Sequence, residues 1–172
     1  MNEKFGGGVA IDNGSLADGV LLREVTKNDL PTFFDFQRDA EANEMAAVPA
    51  RSRVAFNMHW EEKILGDETV VTRTILFGGD VVGFVLSWLK SEQQVVGYWL
   101  GKEYWGKGIA TKALAKFLPL VTVRPLYAHV AKHNVASLRV LEKCGFAISS
   151  ADKVPSGTDY EGTLLFILKL SN

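Results

Sequence analysis

One cysteine, five prolines and a net charge of -1 in 172 residues exclude several classes of protein at once. With Cys144 as the only thiol there is no internal disulfide, which fits a reducing compartment, and the residue reads as a small buried side chain rather than a nucleophile. Basic residues number 19 against 20 acidic ones, so there is no cationic excess to grip a phosphate backbone, and nucleic acid is not an expected partner. No apolar run is long enough to span a bilayer, so no membrane partner is expected either. His129 falls within a strand-like run and His133 just before a helical one, and neither has companions at zinc-ligand spacing; no metal is expected.

The first residues, Met1 to Gly19, contain a Gly6-Gly7-Gly8 run but lack a sustained apolar core with a cleavage site. They read as a loose tail ahead of a single domain spanning residues 20–172, and the expected location is cytoplasmic. What is present is a globular composition: 47% of the residues are apolar. A chain of this length buries about 70% of its unfolded surface.

The hydrophobic pattern alternates between two periods. Val20 to Val25 reads as a strand, followed by a helix, capped by Thr26 or Asn28, running through Phe33, Phe34 and Phe36 toward Ala42. A second helix is expected from Arg51 to Leu65, with Val54, Met58, Glu61 and Leu65 at helical spacing. Thr69 to Phe77 and Val81 to Lys90 form a hairpin about Gly78-Gly79-Asp80, and the second of these strands is apolar on both faces, as in a sheet covered on both sides. Gln94 to Leu100 continues the meander. Ala110, Ala113, Leu114 and Phe117 make one helix face, stopped near Pro119. A strand at Pro125 to Val130, a helix at Val135 to Lys143 ended by Gly145, and strands at Phe146 to Ser150 and Leu164 to Leu170 complete an α+β layer with a mixed central sheet.

The segment Tyr98-Trp-Leu-Gly-Lys-Glu-Tyr-Trp-Gly-Lys-Gly-Ile-Ala-Thr111 joins a strand, a glycine-broken turn and a helix start. Gly106 and Gly108 let the chain fold tightly and aim several N–H groups at one anion, and the helix beginning at Ile109 adds its positive dipole end. A phosphate or pyrophosphate is the natural guest. Gly106-Lys107-Gly108-Ile109 lacks the Lys-Ser/Thr of a Walker A loop, and Thr111 stands where a dinucleotide fingerprint needs its third glycine.

Two motifs, Trp105-Gly-Lys-Gly108-Ile-Ala110-Thr111 and His133-Asn134-Val-Ala-Ser137-Leu-Arg-Val-Leu-Glu-Lys-Cys-Gly145-Phe146, occur in that order with one strand between them. They resemble the acetyl-CoA pyrophosphate loop and the second signature of the GNAT N-acetyltransferase superfamily. Trp105 and Asn134-x-x-Ser137-x-x-Val140-Leu-Glu-Lys are similar to its RimJ/RimL-like branch, and the resemblance covers Val20 to Leu170. It implies a mostly antiparallel central sheet with helices on both faces. It also implies direct transfer of an acetyl group from acetyl-CoA to a primary amine, and a homodimer is plausible.

On that resemblance, backbone N–H groups of Lys107, Gly108, Ile109, Ala110 and Thr111 hold the pyrophosphate. Backbone at Trp99 and Leu100 receives the pantetheine arm like an added strand, and N–H groups there hold the developing oxyanion. Asn134 has two readings, a helix N-cap and a pantetheine partner. Ser137, one turn along, faces the same side and is a candidate donor to the departing thiolate. Glu103, just past the strand, is a candidate base acting through water. His59, Glu61 and Glu62 are candidates for the acceptor side. Phe33, Met58, Trp60 and Tyr160 read either as an apolar acceptor pocket or as core. The acidic stretch from Arg38 to Arg51, with Asp39, Glu41 and Glu44, suits an amine or is simply an exposed helix end. Two positions depart from the family pattern: Trp105 stands where many members have Gln or Arg, and Leu141 where many have the tyrosine that protonates the thiolate. That second departure keeps open a catalytically silent acyl-CoA-binding or sensor module.

Overall fold

The computed structural model describes residues 18–172. The expected tail lies outside these residues except for Asp18 and Gly19. Among the described residues, five helices flank one sheet of seven strands. In chain order the elements are β1 (Val20–Arg23), α1 (Leu30–Gln37), α2 (Ala40–Ala46), α3 (Arg53–Met58), β2 (Val71–Phe77), β3 (Asp80–Lys90), β4 (Gln93–Leu100), α4 (Ile109–Phe117), β5 (Leu126–Ala131), α5 (Val135–Lys143), β6 (Ala147–Lys153) and β7 (Leu164–Leu170). The spatial order is β1-β2-β3-β4-β5-β7-β6, and every neighbouring pair is antiparallel except β4 and β5.

The doubly apolar reading of β3 holds because the strand is covered on both sides. Val82 and Val85 pack toward α4 and α5 with Ile109, Leu114, Phe117 and Leu141. Phe84 packs the other way against Phe33, Phe56 and Trp60 from α1 and the α3 region, with ring centroids 4.8 Å apart for both Phe33–Phe84 and Trp60–Phe84. Phe33 and Trp60 are therefore core, at 0% and 1% exposure, and not an acceptor pocket.

Two helices differ from expectation. The helix expected to reach Ala42 stops at Gln37, because Asp39 takes an extended conformation (φ -65°, ψ 121°) and caps a new helix by accepting from the Ala42 N–H at 2.9 Å. A short polar side chain that satisfies an N-terminal N–H competes with helix continuation. In the next helix the Val54, Met58, Glu61, Leu65 stripe faces solvent, with Val54 70% and Met58 53% exposed, while Phe56, Trp60 and Ile64 face the core. The larger aromatic payload decides which face is buried. Past Met58 the helix widens into a π-helical turn at His59–Ile64, with the Leu65 N–H donating to the Trp60 carbonyl at 2.8 Å.

Candidate active site

The site follows from a divergence in the sheet. β4 and β5 pair only at Gln94↔Leu126 and Val95↔Tyr127, and beyond these rungs the parallel strands part into an open V. The β3–β4 ladder determines what β4 offers to that opening. Gly101 N–H donates to the Val82 carbonyl at 3.0 Å, and the register pairs Phe84 with Trp99 and Gly83 with Leu100. In an antiparallel ladder hydrogen-bonded and non-hydrogen-bonded pairs alternate, so Trp99 turns its backbone groups to β3, and Tyr98 and Leu100 turn theirs to the V. Of the two residues expected to offer backbone to a ligand, Leu100 presents its backbone groups to the opening. Tyr98 shares that facing, while Trp99 turns its backbone to β3 and its indole N–H donates to the Phe36 carbonyl at 3.3 Å, fastening α1 to the strand.

A cleft of about 380 Å³ fills the V. Its lower wall is the turn after β4 and the start of α4, with Gly106, Gly108, Ile109, Ala110 and Thr111; α5 contributes Asn134, Ser137, Val140 and the basic Arg139 and Lys143. Gly106 and Gly108 have φ of 73° and 75°, the left-handed region that favours glycine, and a Cβ on either would meet nothing within 4 Å. The space there is open, and the first-turn N–H groups of α4 face it ahead of the first i→i+4 bond, Lys112 N–H to Gly108 at 3.3 Å. Lys107 is exposed and lies over the Tyr104 ring, 5.7 Å from its centroid, outside the cleft lining.

Two hydroxyls meet across the cleft. The Tyr98 hydroxyl donates to Ser137 Oγ at 3.0 Å, joining the sheet to α5. Burial pushes the Tyr98 phenol up to about 12 against the opposing effect of that hydrogen bond. Asn134 Oδ1 accepts from the Ser137 N–H at 3.2 Å, so Asn134 is the N-cap of α5, and it also lines the cleft. Leu141 is 2% exposed and packs in the core, so the position where many relatives carry a tyrosine contributes nothing to the cleft.

The third wall is α2, through Ala42, Met45 and Ala46. It spans the two limbs of the V. Glu41 forms an ion pair with Lys102, just past β4, and the carbonyl of Glu44 receives a hydrogen bond from His133 Nε2, 2.8 Å away and just past β5. The acidic stretch is thus largely engaged in structure: Asp39 caps α2 and Glu41 is paired.

Residues 20–147 match the family model of the GNAT acetyltransferase domain. The chain belongs to that family. No curated protein sequence matches it. Among solved structures it resembles RimL, the ribosomal L7/L12 alpha-N-protein acetyltransferase in complex with coenzyme A (TM-score 0.75, 15% identity, 89% of this chain and 94% of that one). It also resembles the aminoglycoside acetyltransferase AAC(6')-Ib in complex with coenzyme A and kanamycin (0.72, 18%, 89% and 95%) and a GNAT acetyltransferase from Bacillus anthracis (0.72, 16%, 95% and 97%). At such identities these likenesses establish the GNAT fold, a mostly antiparallel open sheet between helices.

Within this GNAT domain the remaining expected residues lie apart from the cleft. Glu103 is exposed on the short 3-10 turn Lys102–Tyr104 and does not line it. His59 sits on the π-helical turn, where burial, with Arg51 and Lys63 nearby, lowers its pKa. Glu61 pairs with Lys27 at 4.0 Å, Glu62 is exposed, and Tyr160 lies in the turn before β7. His129 Nε2 is enclosed without a hydrogen-bond partner, away from the cleft. Cys144 Sγ–H donates to the Thr111 carbonyl at 3.6 Å, tying α5 to the first turn of α4, and burial raises its pKa. Among the described residues, no cluster of three or more His, Cys, Asp or Glu could hold a metal, and no helix is long and apolar enough to cross a membrane. The sequence gives Tyr98 no evident role and no break between α1 and α2; the signal for Tyr98 is its strand parity with Leu100.

Proposed function

We propose that this GNAT domain is an acetyl-CoA-dependent N-acetyltransferase that moves the acetyl group directly to a primary amine. One observation carries the reading: β4 and β5 part after two rungs, at the place where cleft-facing backbone, the glycine turn and the paired hydroxyls converge. The N–H groups of Gly108, Ile109, Ala110 and Thr111 take the pyrophosphate, and Arg139 and Lys143 add positive charge at the rim. The Tyr98 backbone holds the amide-bearing pantetheine arm as an added strand would be held. The acetyl end then lies near Leu100 and α2.

The chemistry assigns four groups. The amine nitrogen attacks the thioester carbon, and the carbonyl electron pair moves to oxygen, where the Leu100 N–H stabilises it. The oxygen's electron pair then returns to re-form the carbonyl as the C–S bond breaks; sulfur leaves with its electron pair and takes a proton from Ser137 Oγ as that oxygen takes one from the Tyr98 hydroxyl. Because Tyr98 donates to Ser137 Oγ, the serine's own hydrogen is free to point at sulfur; the serine is reprotonated along the same pair of hydroxyls from solvent. The surplus proton of the amine passes to water at the cleft mouth, since no carboxylate lines the cleft among the described residues. Glu103 acts there only through water.

Initial rates at varied acetyl-CoA and amine test this reading. Direct transfer gives intersecting double-reciprocal lines and no acetylated protein by mass spectrometry, whereas parallel lines with an acetyl-enzyme contradict it. A silent acyl-CoA-binding module is the second reading, and it gives CoA binding without turnover.

A further inference from the structure

Gly83 occupies the tightest place beside the β4 edge of the cleft. A Cβ built on it falls 2.0 Å from the Trp99 carbonyl oxygen, 2.9 Å from Leu100 Cδ2 and 3.1 Å from Leu100 Cα. Its φ is not in the left-handed region, so close approach alone requires glycine here. The register of β3 against β2 slips between Ile75 and Leu76, which leaves an extra residue on β3 at Val82 and bends the strand beside Gly83. A glycine inside a strand marks a point where another backbone comes close.

The peptide that comes close is Trp99–Leu100. In a trans peptide the C=O and N–H point in opposite directions, so a Trp99 carbonyl settled against Gly83 sends the Leu100 N–H away from β3 and into the V. The Leu100 carbonyl, on the cleft side by ladder parity, accepts from Trp105 Nε1 at 3.2 Å. Trp105 is the first residue of the glycine turn, and its indole spends its one donor on this internal carbonyl while the ring remains 37% exposed. Leu100 is thus held from behind by the missing side chain of Gly83 and from the front by the phosphate loop.

We propose that Gly83 and Trp105 are positioning residues that aim the Leu100 N–H at the thioester oxygen, with Trp105 coupling the seating of the pyrophosphate to that aim. This rests on the acetyl-CoA reading of the cleft. Many relatives are expected to place Gln or Arg at the position of Trp105; here the side chain serves the oxyanion donor instead of the ligand.

The test uses the whole chain and acetyl-CoA isotopically labelled at the thioester carbonyl, whose infrared stretch falls when its oxygen accepts a hydrogen bond. In the wild type, binding lowers the stretch. In Gly83→Ala and in Trp105→Phe it returns toward the free value and thiol release slows by about tenfold or more, while affinity for CoA, measured by calorimetry, stays within about threefold. Trp105→Phe carries the test by itself if Gly83→Ala does not fold. Variants that keep both the lowered stretch and the rate overturn the proposal, as does a wild type that binds acetyl-CoA with an unshifted carbonyl. A wild type that does not bind acetyl-CoA refutes the reading of the cleft itself, and the inference with it.

Discussion

At Tyr98 a hydroxyl from the sheet meets a hydroxyl from α5, 39 positions away in the chain. Tyr98→Phe removes the donor that orients Ser137 and should lower kcat by about tenfold, and Ser137→Ala by about a hundredfold, with the KM for acetyl-CoA little changed in either. A phenol pushed up to about 12 stays protonated through the working pH range, so Tyr98→Phe should leave the pH profile of kcat in place. A displaced limb would show that Tyr98 itself titrates. Glu103→Gln should lower kcat/KM less than about tenfold, because the carboxylate lies outside the cleft; a loss of about a hundredfold would make it the general base. A separate buried group controls stability. Asp29, 4% exposed, accepts from Arg23 through two bonds of 2.7 Å, from the Thr26 N–H at 2.9 Å and from Thr74 Oγ1 at 2.8 Å. Burial raises its pKa, but these donors outweigh it and hold the carboxyl below its ordinary value of 3.8. A native value below the unfolded one means the contribution is complete above about pH 4 and is lost as pH falls through the native value. Asp29→Ala should cost about 3–5 kcal/mol in urea unfolding at neutral pH, with the gap to wild type closing in acid.

Among elements, the turn from β4 into α4 is legible in the sequence alone, because glycine spacing next to a helix start reports a backbone shape directly. Gly108→Trp tests it. The side chain projects into open space at φ 75°, so the fold should survive with about 1–3 kcal/mol of backbone strain while CoA binding by calorimetry is lost. Unchanged affinity would refute the cradle. α2 was not legible, since the residue that separates it from α1 is a polar Asp39 rather than a glycine or proline, and only the extended backbone there discloses the break. The buried face of the helix after Ser52 is ambiguous in the sequence for a related reason: two stripes share the helical period, and the outcome depends on Phe84 in the sheet offering Trp60 an aromatic partner and on Phe34 offering one to Phe56. Which backbone groups of β4 face the cleft follows from strand parity, and that parity depends on the β3–β4 register, a long-range feature that the local sequence does not carry.

For the whole molecule, the alternation of periods and the two spaced motifs already implied the GNAT arrangement, and the sheet order and the match over residues 20–147 agree with it. The acceptor is not legible in the sequence, because any surface that receives it is assembled by long-range contacts. The central claim is that the cleft transfers acetyl groups and does not merely hold their carrier. It is tested most directly by incubating the protein with acetyl-CoA and a panel of primary amines covering peptide N-termini, free amino acids, polyamines and aminoglycosides, and following free thiol. The account predicts amine-dependent thiol release that Gly108→Trp abolishes; tight CoA binding with no release above background on any amine would contradict it.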